Sequence, residues 1–284
     1  MTEDIQIPMT VMGKIFYRDS VSKEDVEKYG LQNPLPVALA ECQNEGYRAA
    51  FIPKIMDMRS VSDKNSFIWN KGYSAPSVRV TGTTKGGSKV VVYAHIDNYF
   101  SDPKNIQKAI VDKKNPLING AGYYPKKLFQ QLLNKEDGVN VFVIDYDSLK
   151  NSTSGTISIS DAMKHPQVIP FIGGEKRAEK YLEQHEKVVG KNIGVYHSTD
   201  LHDVPYGRVL FVDNSNDNGN LNGYNLLNYN ARFVGVPSSG VASAQKIKSP
   251  LETLVGKGID AGNGIVVIRQ DLVSPTVYNM LTRK

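Results

Sequence analysis

The chain has 284 residues, 40% of them hydrophobic and 22% charged, with a formal net charge of +5. That length and apolar share suit one large mixed domain, or a domain with an appendage, that folds on its own. A single cysteine, Cys42, excludes an intrachain disulfide and a multi-cysteine metal cage, no run approaches a membrane span, and the scattered lysines make a solvated basic surface rather than a nucleic-acid groove.

The first residues place acids beside the methionine and lack a continuous apolar core, so they fit neither a secretory signal nor a transit peptide. Ser22 is placed to cap a short helix ending at Tyr29, with Glu24 and Asp25 at the positive end of its dipole and Gly30 as its stop. An apolar segment over 34–60 follows, broken at 44–46 and again at Pro53. Val78 and Val80, a glycine turn at Gly86 and Gly87, then Val90, Val92 and Tyr93 spell a β-hairpin. Asp102 and Pro103 read as cap and first residue of a helix with Ile106, Ala109 and Ile110 on one face, and a second helix is predicted over 125–133. The run over 139–146 reads as a buried strand.

The strongest helical pattern lies over 175–189, where Ala178, Tyr181, Leu182, Val188 and Val189 form one stripe and Gly190 supplies the stop. Strands are predicted over 192–197, 207–212 and 231–236. Small polar residues over 237–249 make a linker. Beyond it, Ser249, Pro250 and Glu252 form a capping box, 264–270 reads as a strand, and Ser274-Pro275 opens a terminal helix.

Between the strands at 207–212 and 231–236 lies the most unusual stretch, DNSNDNGNLNGYNLLNYN over 213–230, in which eight of eighteen residues are asparagine. Asparagine and glycine disfavour strand and helix interiors. The stretch therefore reads as a loop held between two strands, exposing amides, phenols and backbone with neither Lys nor Arg. Such a surface suits recognition of a partner rather than acid–base chemistry, and the lack of cations argues against phosphate tracking.

Chemistry-bearing constellations are weaker. Asp213, Ser215 and Asp217 match the first positions of a calcium loop, but the glycine and glutamate such a loop requires are replaced by Asn218 and Tyr224. His95 and Asp97, two apart at a strand end, would share a face and could serve a hydrolase or nuclease. His165, His185, His197 and His202 lack metal spacing and read as surface or capping residues. Cys42 reads as a buried small hydrophobe and Trp69 as a core or rim anchor. No catalytic, metal or cofactor set is expected.

The succession GRVLFV, irregular segment, ARFVGV resembles the closing hairpin of C-type-lectin domains of the formylglycine-generating type. Its Asn-, Tyr-, Asp-, Ser- and Gly-rich filling resembles the variable region of diversity-generating retroelement proteins, of the kind carried by archaeal viruses. In that family, error-prone reverse transcription randomises adenines of AAC asparagine codons. Arg232-Phe233-Val234 stands where the family has Gly-Phe-Arg, and 48 residues follow Val236.

The resemblance implies an α+β C-type lectin fold over 1–236, with short twisted antiparallel sheets and flanking helices, and an ordered extension over 237–284. It implies a hypervariable ligand-binding protein without enzymatic activity, whose interchangeable surface comprises Asn214, Ser215, Asn216, Asp217, Asn218, Asn220, Asn222, Tyr224, Asn225, Asn228, Tyr229 and Asn230. Leu221, Leu226 and Leu227 are the expected inward anchors. The expected partner is a protein or cell-surface ligand, with no nucleic acid and no membrane insertion, and the extension is a candidate virion-assembly contact. The expected place is the virion surface or host exterior after cytoplasmic synthesis. Rival readings are the hydrolase or nuclease using His95 and Asp97, and a structural virion protein whose asparagine loop is a subunit contact.

Overall fold

The computed structural model describes residues 13–237 and, further along, 259–260 and 266–267. Chain contacts separate two compact units, Met1–Pro237 and Ser238–Lys284. In the second, β12 (Ile259–Asp260) pairs antiparallel with β13 (Val266–Val267), the latter inside the strand expected over 264–270. The linker at 238–249, the capping box at Ser249 and the helix from Ser274 lie outside the described residues.

In the first unit the chain runs β1 (Lys14–Arg18), α1 (Lys23–Tyr29), α2 (Pro34–Asn44), β2 (Tyr47–Ala49), α3 (Ile52–Ser60), α4 (Phe67–Asn70), β3 (Tyr73–Thr83), β4 (Lys89–Ala94) and α5 (Pro103–Val111). It continues through β5 (Gly122–Tyr123), α6 (Lys126–Leu133), β6 (Val141–Asp145), α7 (Tyr146–Lys150), β7 (Gly155–Ser158), α8 (Ile159–Ala162), α9 (Val168–Ile172), α10 (Glu175–Val188), β8 (Asn192–His197), β9 (Tyr206–Val212), β10 (Leu221–Gly223) and β11 (Ala231–Pro237).

Local chemistry explains several boundaries. Ser22 and Asp25 form a reciprocal capping box on α1, which ends at Gly30 in the left-handed region at φ 68°. Asp102 caps α5, with Pro103 in its first turn. Pro53 does not break the apolar segment: it occupies the first turn of α3, where no amide donor is needed. The predicted strand over 139–146 stops at Asp145, whose carboxylate accepts from Ser148 N at 2.7 Å and starts α7 at Tyr146. It is a half-buried edge strand, not a buried one.

A large sheet has the order β6-β4-β3-β9-β10-β8-β7, with β5 also paired to β9. Neighbours are antiparallel except β10 and β8. Period-2 alternation sends Val91 and Tyr93 of β4 to one layer, with Trp69, Phe171, Tyr181 and Leu210, and Val90, Val92 and Ala94 to the other, with Phe100, Ile106, Phe129 and Val209. A bulge in β3 between Ala75 and Val78 falls at Pro76, where a proline does not interrupt the ladder.

The strands bracketing the asparagine tract do not form the expected hairpin with each other. β3 occupies one edge of β9, while β10, formed inside the tract, and β5 share the other. β11 lies instead at the centre of a separate three-stranded sheet between β1 and β2. The tract therefore spans from one sheet to the other, which pins both of its ends.

Candidate functional site

The tract begins where β9 ends. Arg59, buried in the last turn of α3, donates from Nη2 to Asp213 O at 2.6 Å and from Nε to Ile68 O at 2.9 Å, its guanidinium 4.8 Å from the Trp69 ring centroid. Asn214 then caps a 3-10 turn, Ser215–Asp217: its Oδ1 accepts from Asn216 N at 2.8 Å and Asp217 N at 3.1 Å. Asn218 follows in the left-handed region at φ 56°, which asparagine tolerates better than most residues.

Four further side chains, all from outside the tract, grip its carbonyls. His185 of α10 donates from Nε2 to Asn218 O at 3.0 Å; the acceptor-only carbonyl fixes that tautomer. Tyr181 Oη donates to Gly219 O at 3.3 Å, and Gln167 Nε2 to Leu221 O at 3.1 Å. Arg208 of β9 donates from Nη1 to Asn225 O at 3.3 Å and Asn119 O at 2.5 Å, and from Nη2 to Asp200 Oδ2 at 3.1 Å. Leu227 N donates to Gly120 O at 3.0 Å. Gly120, at φ 78°, has no side chain for a reason: a Cβ there would collide with Leu226 Cδ2.

Leu221 and Leu227 are fully buried, as the sequence indicated, whereas Leu226 is half-buried. The twelve candidate recognition residues divide. Asn216, Asp217, Asn218, Tyr224, Asn228 and Tyr229 are exposed, Tyr229 by 58%. Ser215 and Asn230 are half-buried. Asn214, Asn220, Asn222 and Asn225 are also half-buried, and the side chains of the first three serve the loop itself. Asn220 Nδ2 donates to Asp213 Oδ2 at 3.3 Å, Asn222 Oδ1 accepts from Tyr224 N at 2.8 Å, and the Asn225 amide nitrogen is enclosed. Asn214→Ala is expected to cost about 1 kcal/mol through loss of the cap, against less than ~0.5 kcal/mol for Asn216→Ala. Urea unfolding followed by Trp69 fluorescence measures both.

The carboxylates in and beneath the tract are held by internal partners. Burial first of all raises the Asp213 carboxyl, whose Oδ2 meets the Asn220 amide, while Asp217 Oδ2 accepts from Asn214 Nδ2 at 2.7 Å. The calcium-loop carboxylates are thus engaged by amides, and no group of three or more His, Cys, Asp or Glu suited to a metal occurs among the described residues. Desolvation opposes ionisation of Asp200, but hydrogen bonds from Ser198 and Asn119 and the Arg208 charge hold its carboxyl below the usual range.

His95 and Asp97 do not meet. β4 ends at Ala94, so strand alternation no longer governs them. His95 is buried between Ser77 Oγ at 2.9 Å and Pro170 O at 2.8 Å, while exposed Asp97 pairs with Arg48 at 2.9 Å. Of the reading of His165, His185 and His197 as surface or capping residues, the surface alternative is corrected: all three are buried, and His165 Nδ1 accepts from Gln167 N at 3.1 Å. His185 continues the apolar stripe of α10, four residues beyond Tyr181, and its ring packs against Trp69. Burial also pushes the Cys42 thiol up to about 12. No helix among the described residues is long and apolar enough to cross a membrane.

No protein-family model and no curated protein matches the chain. A solved structure does, one described as the accommodation of massive sequence variation in Nanoarchaeota by the C-type lectin fold. The two share 44% identity over 79% of this chain and 97% of the other, with a TM-score of 0.69. The chain belongs to this C-type-lectin-fold family.

In this lectin-fold protein the anchors, rather than the tract, escaped sequence reasoning. Arg208 sits inside the apolar run of β9 and Arg59 in the last turn of α3, and both are at most 2% exposed. A cation within a buried strand or helix was the available signal, since arginine is rarely buried without a specific partner. Gln167 carried no comparable signal, because its role depends on two carbonyls, Tyr196 O and Leu221 O, brought together by the β8–β10 pairing.

Proposed function

We propose that this C-type-lectin-fold protein is a hypervariable ligand-binding protein, diversified by a retroelement, whose recognition surface is the exposed face of 213–230. One observation carries the reading: scaffold side chains Arg59, His185, Tyr181, Gln167 and Arg208 hold the tract through its backbone carbonyls. Carbonyls are present whatever the side chain, so exposed positions can be exchanged with the loop path kept. Rigid tyrosines and adaptable amides then supply affinity and specificity, as in antibody paratopes. The massive sequence variation attributed to the 44%-identical relative supports the same reading. The ligand is a protein or cell-surface group, bound without catalysis, and the protein acts from a virion surface or the host exterior.

Sequencing this locus across sibling isolates tests the proposal. Differences are expected to concentrate in 214–230 at asparagine-derived codons, beside a near-identical template copy bearing AAC codons there. Even variation along the chain, with neither template nor reverse transcriptase nearby, would sink it.

A further inference from the structure

Under the exposed tract lies a cation that the loop cannot vary. Arg208 is 2% exposed and clamped in plane: Nη1 donates to Asn119 O and Asn225 O, and Nη2 to Asp200 Oδ2 and, at 3.4 Å, to Ile118 O. Its edge is thereby engaged and its face is left. The guanidinium carbon lies over the ring of Tyr224, 4.7 Å from the ring centroid, and Tyr224 is 43% exposed to solvent.

The floor carries more positive charge than its carboxylate balances. Arg79 is the cross-strand neighbour of Arg208 and is equally buried. It donates from Nη2 to Ser198 O at 2.6 Å, and its Nε is enclosed without a partner. Among the described residues, Asp200 is the one carboxylate ion-paired with either arginine. Burial, then the Arg79 charge, presses Arg208 down to about 10. A desolvated guanidinium with surplus positive field favours the electron-rich face of an aromatic ring.

We propose that the face of Arg208 is a fixed aromatic-recognition subsite, filled by Tyr224 in this chain and offered to an aromatic side chain of the partner when position 224 carries a small residue. Tyr224 then acts as an internal stand-in for the ligand. One tract position thereby switches the surface between a self-filled aromatic patch and an open, cation-floored slot. Because Arg208 is held by four acceptors, the slot is pre-organised and ring binding orders no flexible cation. The inference rests on the proposed function insofar as position 224 varies in nature.

The test uses the full chain carrying Tyr224→Ser, titrated with p-cresol and separately with 4-methylcyclohexanol, a saturated analogue of similar size, with side-chain NMR of the arginine Nε–H groups as readout. N-acetyl-tyrosinamide and N-acetyl-tryptophanamide distinguish a peptide aromatic from a free phenol. The Tyr224→Ser protein is expected to bind p-cresol about tenfold more tightly than the cyclohexanol and to shift the Arg208 signal on saturation, whereas the unsubstituted protein and Tyr224→Phe leave that signal unmoved. Equal binding of ring and saturated analogue, or no shift at Arg208, overturns the proposal. If Tyr224→Ser lowers stability, Tyr224→Asn, a residue already common in this tract, gives the same test. Binding of p-cresol at a locus that proves invariant would keep the subsite and remove the diversification reading. Variation at position 224 without ring binding would do the reverse.

Discussion

Replacing Leu227 with aspartate is expected to destabilise the lectin-fold unit by ~4 kcal/mol or more, a large share of the ~5–15 kcal/mol that holds a typical domain folded. Leu227 is fully buried among Phe100, Ala109 and the backbone of Gly122, where a Cβ would come within 2.7 Å of Leu227 Cδ1. A carboxylate there loses both the packing and its hydration, since Leu227 belongs to an apolar cluster with Phe100, Ala109 and Val209. Trp69 is the single tryptophan and lies in this unit, so its fluorescence in a urea titration reports the unit directly. The neighbouring Asn228→Asp, at an exposed position, is expected to shift stability by less than ~0.5 kcal/mol. A similar small shift at Leu227 would show that the tract is not anchored as described.

Acid should unfold the protein through its buried histidines. Burial pushes His95 and His185 down to about 4, from an ordinary value near 6.5. Each ring is neutral in the folded state, so the unfolded chain binds the extra protons and stability falls as pH falls. The loss begins near pH 6.5 and ends near pH 4, where the folded-state rings also titrate. Across that window each ring removes ~1.4 kcal/mol for every tenfold rise in proton concentration. Together the two histidines therefore remove several kcal/mol, a large part of a typical domain's stability. His185→Gln keeps an amide donor for Asn218 O but does not titrate, so it should flatten the dependence of urea midpoint on pH by about one proton. An unchanged slope in His185→Gln, at intact folding, would count against a buried neutral imidazole beneath the loop.

Much of the scaffold was legible because its signals are local. Ser22 and Gly30 bound α1, Asp102 and Pro103 start α5, and the stripe through Ala178, Tyr181 and Leu182 marks α10. β1 left no such mark, because Lys14–Arg18 buries Phe16 alone on its inner face and becomes a strand by pairing with β11, more than two hundred residues later. α8 and α9 are too short for a period to show.

The sequence by itself determined that 213–230 is a cation-free, amide-rich segment between two strands with leucines inside it, since composition alone denies it a cationic groove. It did not show that Leu221–Gly223 enters the sheet as β10 between β9 and β8. Only the tertiary structure decided how that loop is held. The pairing of β10 with β8 and β9 brings Gln167 to Leu221 O, and the packing of α3 and α10 brings Arg59 and His185 to Asp213 O and Asn218 O. Those contacts join residues up to 154 positions apart. No local periodicity encodes them, because a buried donor selects its carbonyl by proximity in the fold and not by spacing along the chain.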